Sequence, residues 1–125
     1  MFGKILVALD NSKYSDWGVE AVLAICSAFG SEITGCHVYA AKLHESRFKD
    51  METGLPQQYQ SEALLTRQRE IHESLIAKGL SIISDSYLDR FEASARAHGI
   101  GAINKKNREG KNYVELIAEA AEGRY

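Results

Sequence analysis

Asp10 is the residue best placed to do chemistry. It ends an unbroken apolar run, Ile5, Leu6, Val7, Ala8 and Leu9, and Asn11 and Ser12 follow it at once. An ionised carboxylate only accepts hydrogen bonds, so Asp10 suits a ligand that offers hydroxyls or amides. The elements around it follow from the same residues. A short apolar run rich in Ile, Leu and Val reads as a strand buried on both faces. Asn11 and Ser12 can each cap a helix by accepting from a free amide at its start. Asp16 then falls in the first helical turn, where the helix dipole favours negative charge. Asp10 thus sits at the carboxyl end of a strand, outside which open α/β sheets bind their ligands. Asp, Asn and Ser are also plain turn formers, and the local pattern by itself favours that simpler role.

Other chemistry finds little support. Neither the dinucleotide fingerprint G-x-G-x-x-G nor the phosphate loop G-x-x-x-x-G-K-[ST] follows the first strand. No nucleophile elbow G-x-S-x-G is present. His37, His44, His72 and His98 fall on separate elements without metal-type spacing, and a zinc site needs three or four converging ligands. His37, near the end of the second strand, reads as a half-buried strand histidine. Glu52, Glu62, Glu70 and Glu73 read as solvated helix faces rather than an acid–base pair. The residues alone make no case for an enzyme.

The positioning elements can be traced along the chain. After the first strand a helix runs to Phe29, with Ala21, Val22, Ile25 and Phe29 on one side and Trp17 and Ala24 beside them. Gly30 suits its C-terminal cap. Ile33, Cys36, Val38 and Tyr39 suit a second strand. Residues 40–58 hold the one proline, Pro56, and many charges, and read as a loop with a short helix over 47–51. Two helices follow, over 59–77 and 81–98, interrupted at Lys78 and Gly79. The first puts Leu64, Ile71 and Leu75 on one face; the second spaces Ile83, Tyr87, Phe91 and Ala95 four apart, with Gly99 as its cap. One helix would suffice to cross to a third strand, so residues 42–79 read as a helical insertion. The third strand, over 100–107, carries Lys105 and Lys106, charges of the kind that protect a sheet edge. In the last helix Asn112 and Glu115 resemble a capping box, and Val114, Ile117, Ala118 and Ala121 form the expected buried stripe.

Composition narrows the class. A chain of 125 residues, 45% hydrophobic and 26% charged, fits one globular domain. A net charge of -2 without a basic block leaves no footprint for nucleic acid. Cys26 and Cys36 read as reduced, buried thiols rather than a disulfide framework. The first apolar run is too short for a signal peptide, and no segment is long enough to span a bilayer. The expectation is a soluble cytoplasmic domain without nucleic-acid or membrane partners.

The stretch "KILVALDNSKYSDWGVEAVLAICSAFGSEITGCHVY" resembles the start of the universal stress protein family. The resemblance rests on a strand ending in V-x-x-D-x-S (Val7, Asp10, Ser12), an Ala-rich helix, and a second strand ending in the pair His37-Val38. The stretch "REGKNYVELIAEAAEG" also resembles the family's Glu-Gly turn and helix before the last crossover.

The resemblance implies a three-layer α/β sandwich of the Rossmann-like, adenine nucleotide alpha hydrolase-like kind, with parallel strands in the order 3-2-1-4-5. Strands 1 to 3 are expected here. The fourth and fifth strands, and the family's glycine loop that holds phosphates on backbone amides, are expected to be missing, as in the N-terminal part of such a protein. Carried over by position, Ala8, Leu9 and Asp10 would lie against adenosine, Asp10 would accept from a ribose hydroxyl, and the Val38 backbone would meet the adenine edge. The implied ligand is ATP or AMP, held weakly by this chain, with at most weak ATP hydrolysis in a complete protein. The alternative is a member that binds no nucleotide and acts through protein contacts of the insertion. A second copy is expected to pair along the strand Lys4–Leu9, where nothing between Ile5 and Leu9 is charged to prevent it.

Overall fold

The computed structural model describes residues 1–41 and 47–125 in full and residues 42–46 only by their place in a helix. The first strand, β1 (Lys4–Leu9), gives way at Asp10 to helix α1 (Lys13–Phe29). Ser12 is the N-cap and its side chain accepts from the Ser15 amide at 3.2 Å. At the other end Gly30 takes the left-handed conformation (φ 67°) and its N–H donates to the Cys26 carbonyl at 2.8 Å. Only a residue without a Cβ adopts that geometry freely. Strand β2 (Glu32–Tyr39) then lies parallel to β1, with Val7 opposite Gly35 and Leu9 opposite His37.

Helix α2 (Ala41–Met51) and two short 3₁₀ turns, Glu52–Gly54 and Gln57–Tyr59, lead into a single long helix, α3 (Glu62–Ala97). Strand β3 (Ile103–Glu109) pairs parallel to β2, and helix α4 (Asn112–Gly123) completes the described chain. The sheet order β1-β2-β3 is the expected 3-2-1 arrangement. Among the described residues, β1 has a neighbour on one side only.

Alternation along the strands sorts the side chains onto two faces. On one face Val7, Leu9 and Ile33 pack with Leu23 and Cys26 of α1 and with Leu88, Phe91 and Ala95 of α3. Gly35 belongs to this face: a Cβ there would fall 2.6 Å from the Phe91 ring, so the glycine lets α3 approach the sheet. Val7 is buried, while Leu6, expected to be buried too, is half-covered. The other face carries α4, and here charge dominates. Arg108 pairs with Glu115 at 2.9 Å, with Glu122 at 3.0 Å and with Glu119 at 3.4 Å; Lys106 pairs with Glu119 at 2.7 Å.

Several expectations need correction. The interruption at Lys78-Gly79 does not occur. A mid-helix glycine costs only about 1 kcal/mol against alanine, too little to break a helix whose ends are held by packing. The helix foreseen over 47–51 begins earlier, at Ala41. The buried side of α1 is Leu23 and Cys26 with Val19 and Val22 against the core, while Trp17, Ala21, Ala24 and Phe29 are exposed. Apolar residues surround most of this helix, so periodicity does not single out the covered side.

In α4 the capping box does not form. Lys111 is the N-cap without a side-chain bond, and the Glu115 carboxylate accepts from Arg108 instead. The expected stripe is turned outward at Val114, Ile117 and Ala121, and Glu119 is the fully buried residue. The ion pairs to β3 set that rotation. β3 is an edge strand, as foreseen, but its lysines are tied down: Lys105 reaches Asp89 of α3 at 3.0 Å, and Lys106 reaches α4. Glu52 is not solvated either. It is buried and held by both nitrogens of the Arg69 fork, at 2.8 and 2.6 Å, which keeps its carboxyl below the usual range.

Candidate functional site

The turn after β1 places Asp10 by three local bonds. One oxygen of its carboxylate, Oδ1, accepts from the Ser12 amide at 2.7 Å, and its own N–H donates to Ser15 Oγ at 3.1 Å. The Ser12 cap on Ser15 closes the set. Asp10 is therefore a turn former, as the local pattern favours, but the turn uses one oxygen. The residue is exposed, so a ligand hydroxyl could reach its carboxylate.

Asp10 borders a cleft of about 270 Å³ at the carboxyl ends of β1 and β2. Ala8 and Leu9 line it from β1, Asp10 from the turn that follows, and Cys36 and Val38 from β2. Asn112, Tyr113 and Leu116 close it from the start of α4. All four residues singled out in the sequence, Ala8, Leu9, Asp10 and Val38, thus border one cavity. Ala8 is exposed within an otherwise covered strand because it forms the cleft floor.

The residues sequence reasoning did not assign to the site are Cys36, Asn112, Tyr113 and Leu116. The parallel βαβ arrangement held the signal for the last three. The helix after β3 has to start beside the strand ends, so its first turn adjoins whatever they bind. Burial pushes the Cys36 thiol up, with Glu119 adding to the shift, so it lines the cleft as a neutral small apolar group rather than a nucleophile.

His37 points away from this cleft, to the face of the sheet covered by α3. Its Nδ1 shares a 2.8 Å hydrogen bond with the fully buried Ser84 Oγ, and its ring meets Tyr87 edge-on at 4.9 Å. Burial lowers its pKa, against the opposing charge of Asp10. It is a packed core histidine, more buried than the half-buried reading had it. His98 bonds to the Ser94 carbonyl of its own helix, and His72 stacks on Phe48; His44 lies outside the described residues. No group of three or more metal-ligating side chains occurs among the described residues, and none of the described helices is long and apolar enough to cross a membrane.

A second, larger cleft of about 360 Å³ lies between α1 and α3. Asp10 borders it as well, but its walls are helix side chains such as Glu20, Arg90 and Ser94. The Asp16–Arg90 ion pair, 2.8 Å long, ties the two helices there. The smaller cleft is the one the strand ends converge on.

A parallel sheet with helices and a cleft at the carboxyl ends of its strands defines a Rossmann-like α/β protein. The model of the universal stress protein family matches residues 1–124, and the chain belongs to that family. Solved structures that share the fold include two universal stress proteins. One is a protein of the universal stress protein family from Burkholderia pseudomallei, 16% identical with a TM-score of 0.54, matched over 98% of this chain and 75% of that one. The other is the universal stress protein UspA from Lactobacillus plantarum, 13% identical with a TM-score of 0.65, matched over 98% of this chain and 71% of that one. No match is found among curated protein sequences.

Proposed function

We propose that this universal stress protein holds an adenine nucleotide, ATP or AMP, in the cleft at the ends of β1 and β2. The single observation that carries the reading is the convergence of Ala8, Leu9, Asp10 and Val38 on one cavity. In this reading the free oxygen of Asp10 accepts from a ribose hydroxyl. The Val38 backbone meets the adenine edge, and Ala8 and Leu9 lie against the nucleoside. Tyr113 adds an aromatic face beside them. The cleft is slightly below the range of about 300–1,000 Å³ common for small-molecule pockets, so it suits the nucleoside part more than the phosphates. The chain is a binding module in this reading rather than a catalyst.

Titration calorimetry with adenosine, AMP and ATP tests it. Saturable binding with similar affinity for all three is expected, because the nucleoside carries the recognition. Asp10→Ala should weaken it by about 1.5–3 kcal/mol, the worth of a hydrogen bond to a charged group. Absence of saturable binding, or an Asp10→Ala variant that binds equally well, would remove the reading.

A second reading has its own observation. Leu64, Ile71 and Leu75 on α3 are exposed, and such an apolar surface on the 42–79 insertion favours a protein-interaction role.

A further inference from the structure

Helix α3 is about 54 Å long at 1.5 Å per residue, about twice the span of an eight-residue strand such as β2. Its N-terminal half meets α2 and the turn after it through Arg69, which holds Glu52, and His72, which stacks on Phe48 with ring centroids 3.8 Å apart. A different side of the helix is bare from this half to just past its midpoint. Leu64, Ile71, Leu75 and Ile82 are 41, 51, 65 and 60% exposed.

With Gln68 and Lys78 these residues form one line, spaced by steps of four, three, four, three and four. This is the a/d seam of a coiled coil. The series of steps is the same read from either end, so the seam is complementary to its own reverse.

We propose that a second copy of this chain docks antiparallel along α3, crossing near Glu73. Leu64 then faces the partner's Ile82, Ile71 faces the partner's Leu75, and Gln68 faces the partner's Lys78. The two-fold symmetry repeats each contact. The inference rests on reading the insertion as an interaction element and is independent of the nucleotide cleft.

Charge chooses the direction. In the antiparallel register the Lys78 ammonium meets the amide oxygen of a glutamine, an acceptor. A parallel, in-register pair would set Lys78 against Lys78. Polar residues at seam positions are what fix register in coiled coils. Area sets the strength. Covering four Leu or Ile side chains and the stems beside them in each copy removes on the order of 1,000 Å² in total, near the lower bound for a specific interface. The dimer is therefore a concentration-dependent one.

Sedimentation velocity across a wide concentration range tests it. The wild-type chain should pass from monomer to dimer, and the double variant Ile71→Lys/Leu75→Lys should stay monomeric with an unchanged circular dichroism spectrum. Register is read by mixing Leu64→Cys protein with Ile82→Cys protein and oxidising. The crosslink joining the two variants should dominate; Cys26 and Cys36 are buried and do not compete. A wild-type chain that is monomeric throughout would overturn the second-copy proposal and leave the insertion open to another partner. A dimer that survives the two lysines would overturn the insertion reading as well and give self-association to the free edge of β1. Crosslinks dominated by 64-to-64 pairs would overturn the antiparallel register.

Discussion

The two halves of α3 are one continuous helix in two different environments. In the C-terminal half Ser84, Leu88, Phe91 and Ala95 are buried at the spacing of a helix face, against Gly35, Ile33 and Leu9 of the sheet. In the N-terminal half Leu64, Ile71 and Leu75 repeat with much the same helical regularity and lie open. Periodicity is a property of the helix, and burial is a property of what stands opposite. The sheet provides that opposite surface only as far as its strands reach. Beyond them α2 covers one side of the helix, and the other apolar side has no cover among the described residues.

Four measurements break or sharpen this contrast. Phe91→Ala should have the largest effect, a loss of about 3–5 kcal/mol in urea unfolding, because it opens a cavity between α3 and Gly35. A loss below 1 kcal/mol would mean that the C-terminal half is not a core element. Gly35→Ala acts from the other side of the same contact. Its Cβ would press on the Phe91 ring, an overpacking cost of about 1–3 kcal/mol. Adding Phe91→Leu to Gly35→Ala should cost less than the two single changes together; simple additivity would count against a direct clash.

The third measurement uses pH. Burial lowers the pKa of His37 in the fold, so on acidification the unfolded chain takes up its proton first. Stability is full above the unfolded value of about 6.5 and falls as pH drops below it. Thermal unfolding from about pH 7.5 to about pH 5, across the histidine range, should show that decline, and His37→Gln should flatten it. An identical decline in the variant would assign it to other groups. The smallest effect belongs to the N-terminal half. Leu75→Ala should change the stability of the monomer, measured at low concentration, by no more than about 0.5 kcal/mol, the range of ordinary surface changes. A core-sized loss would show that the stripe is covered from within the chain.

The candidate site was more legible than the packing around it. Val7, Asp10 and Ser12 mark a strand end, a turn and a helix cap within six residues, and all three roles hold in the structure. The end of β2 at Tyr39 and the cap at Gly30 were equally plain. Asn112 and Tyr113 were missed as cleft residues because they lie far along the chain and reach Asp10 only through the fold. Glu52 was misread because the partner that buries its charge, Arg69, comes from another helix.

Alone, the sequence determined the features that depend on neighbouring residues. The strands, the Ser12 and Gly30 caps and the strand-end carboxylate follow from short-range backbone chemistry, while the order of the sheet came from the family resemblance that those residues carry. Only the tertiary structure decided which side of each helix is covered. On α1 and α4 the apolar residues extend too far around for their spacing to choose, and on α4 the pairs from Glu115, Glu119 and Glu122 to Arg108 and Lys106 outweigh the apolar stripe. On α3 the choice depends on where the sheet ends. Burial and ion pairing are relations between distant segments, and spacing along one segment carries no record of what the fold will set against it.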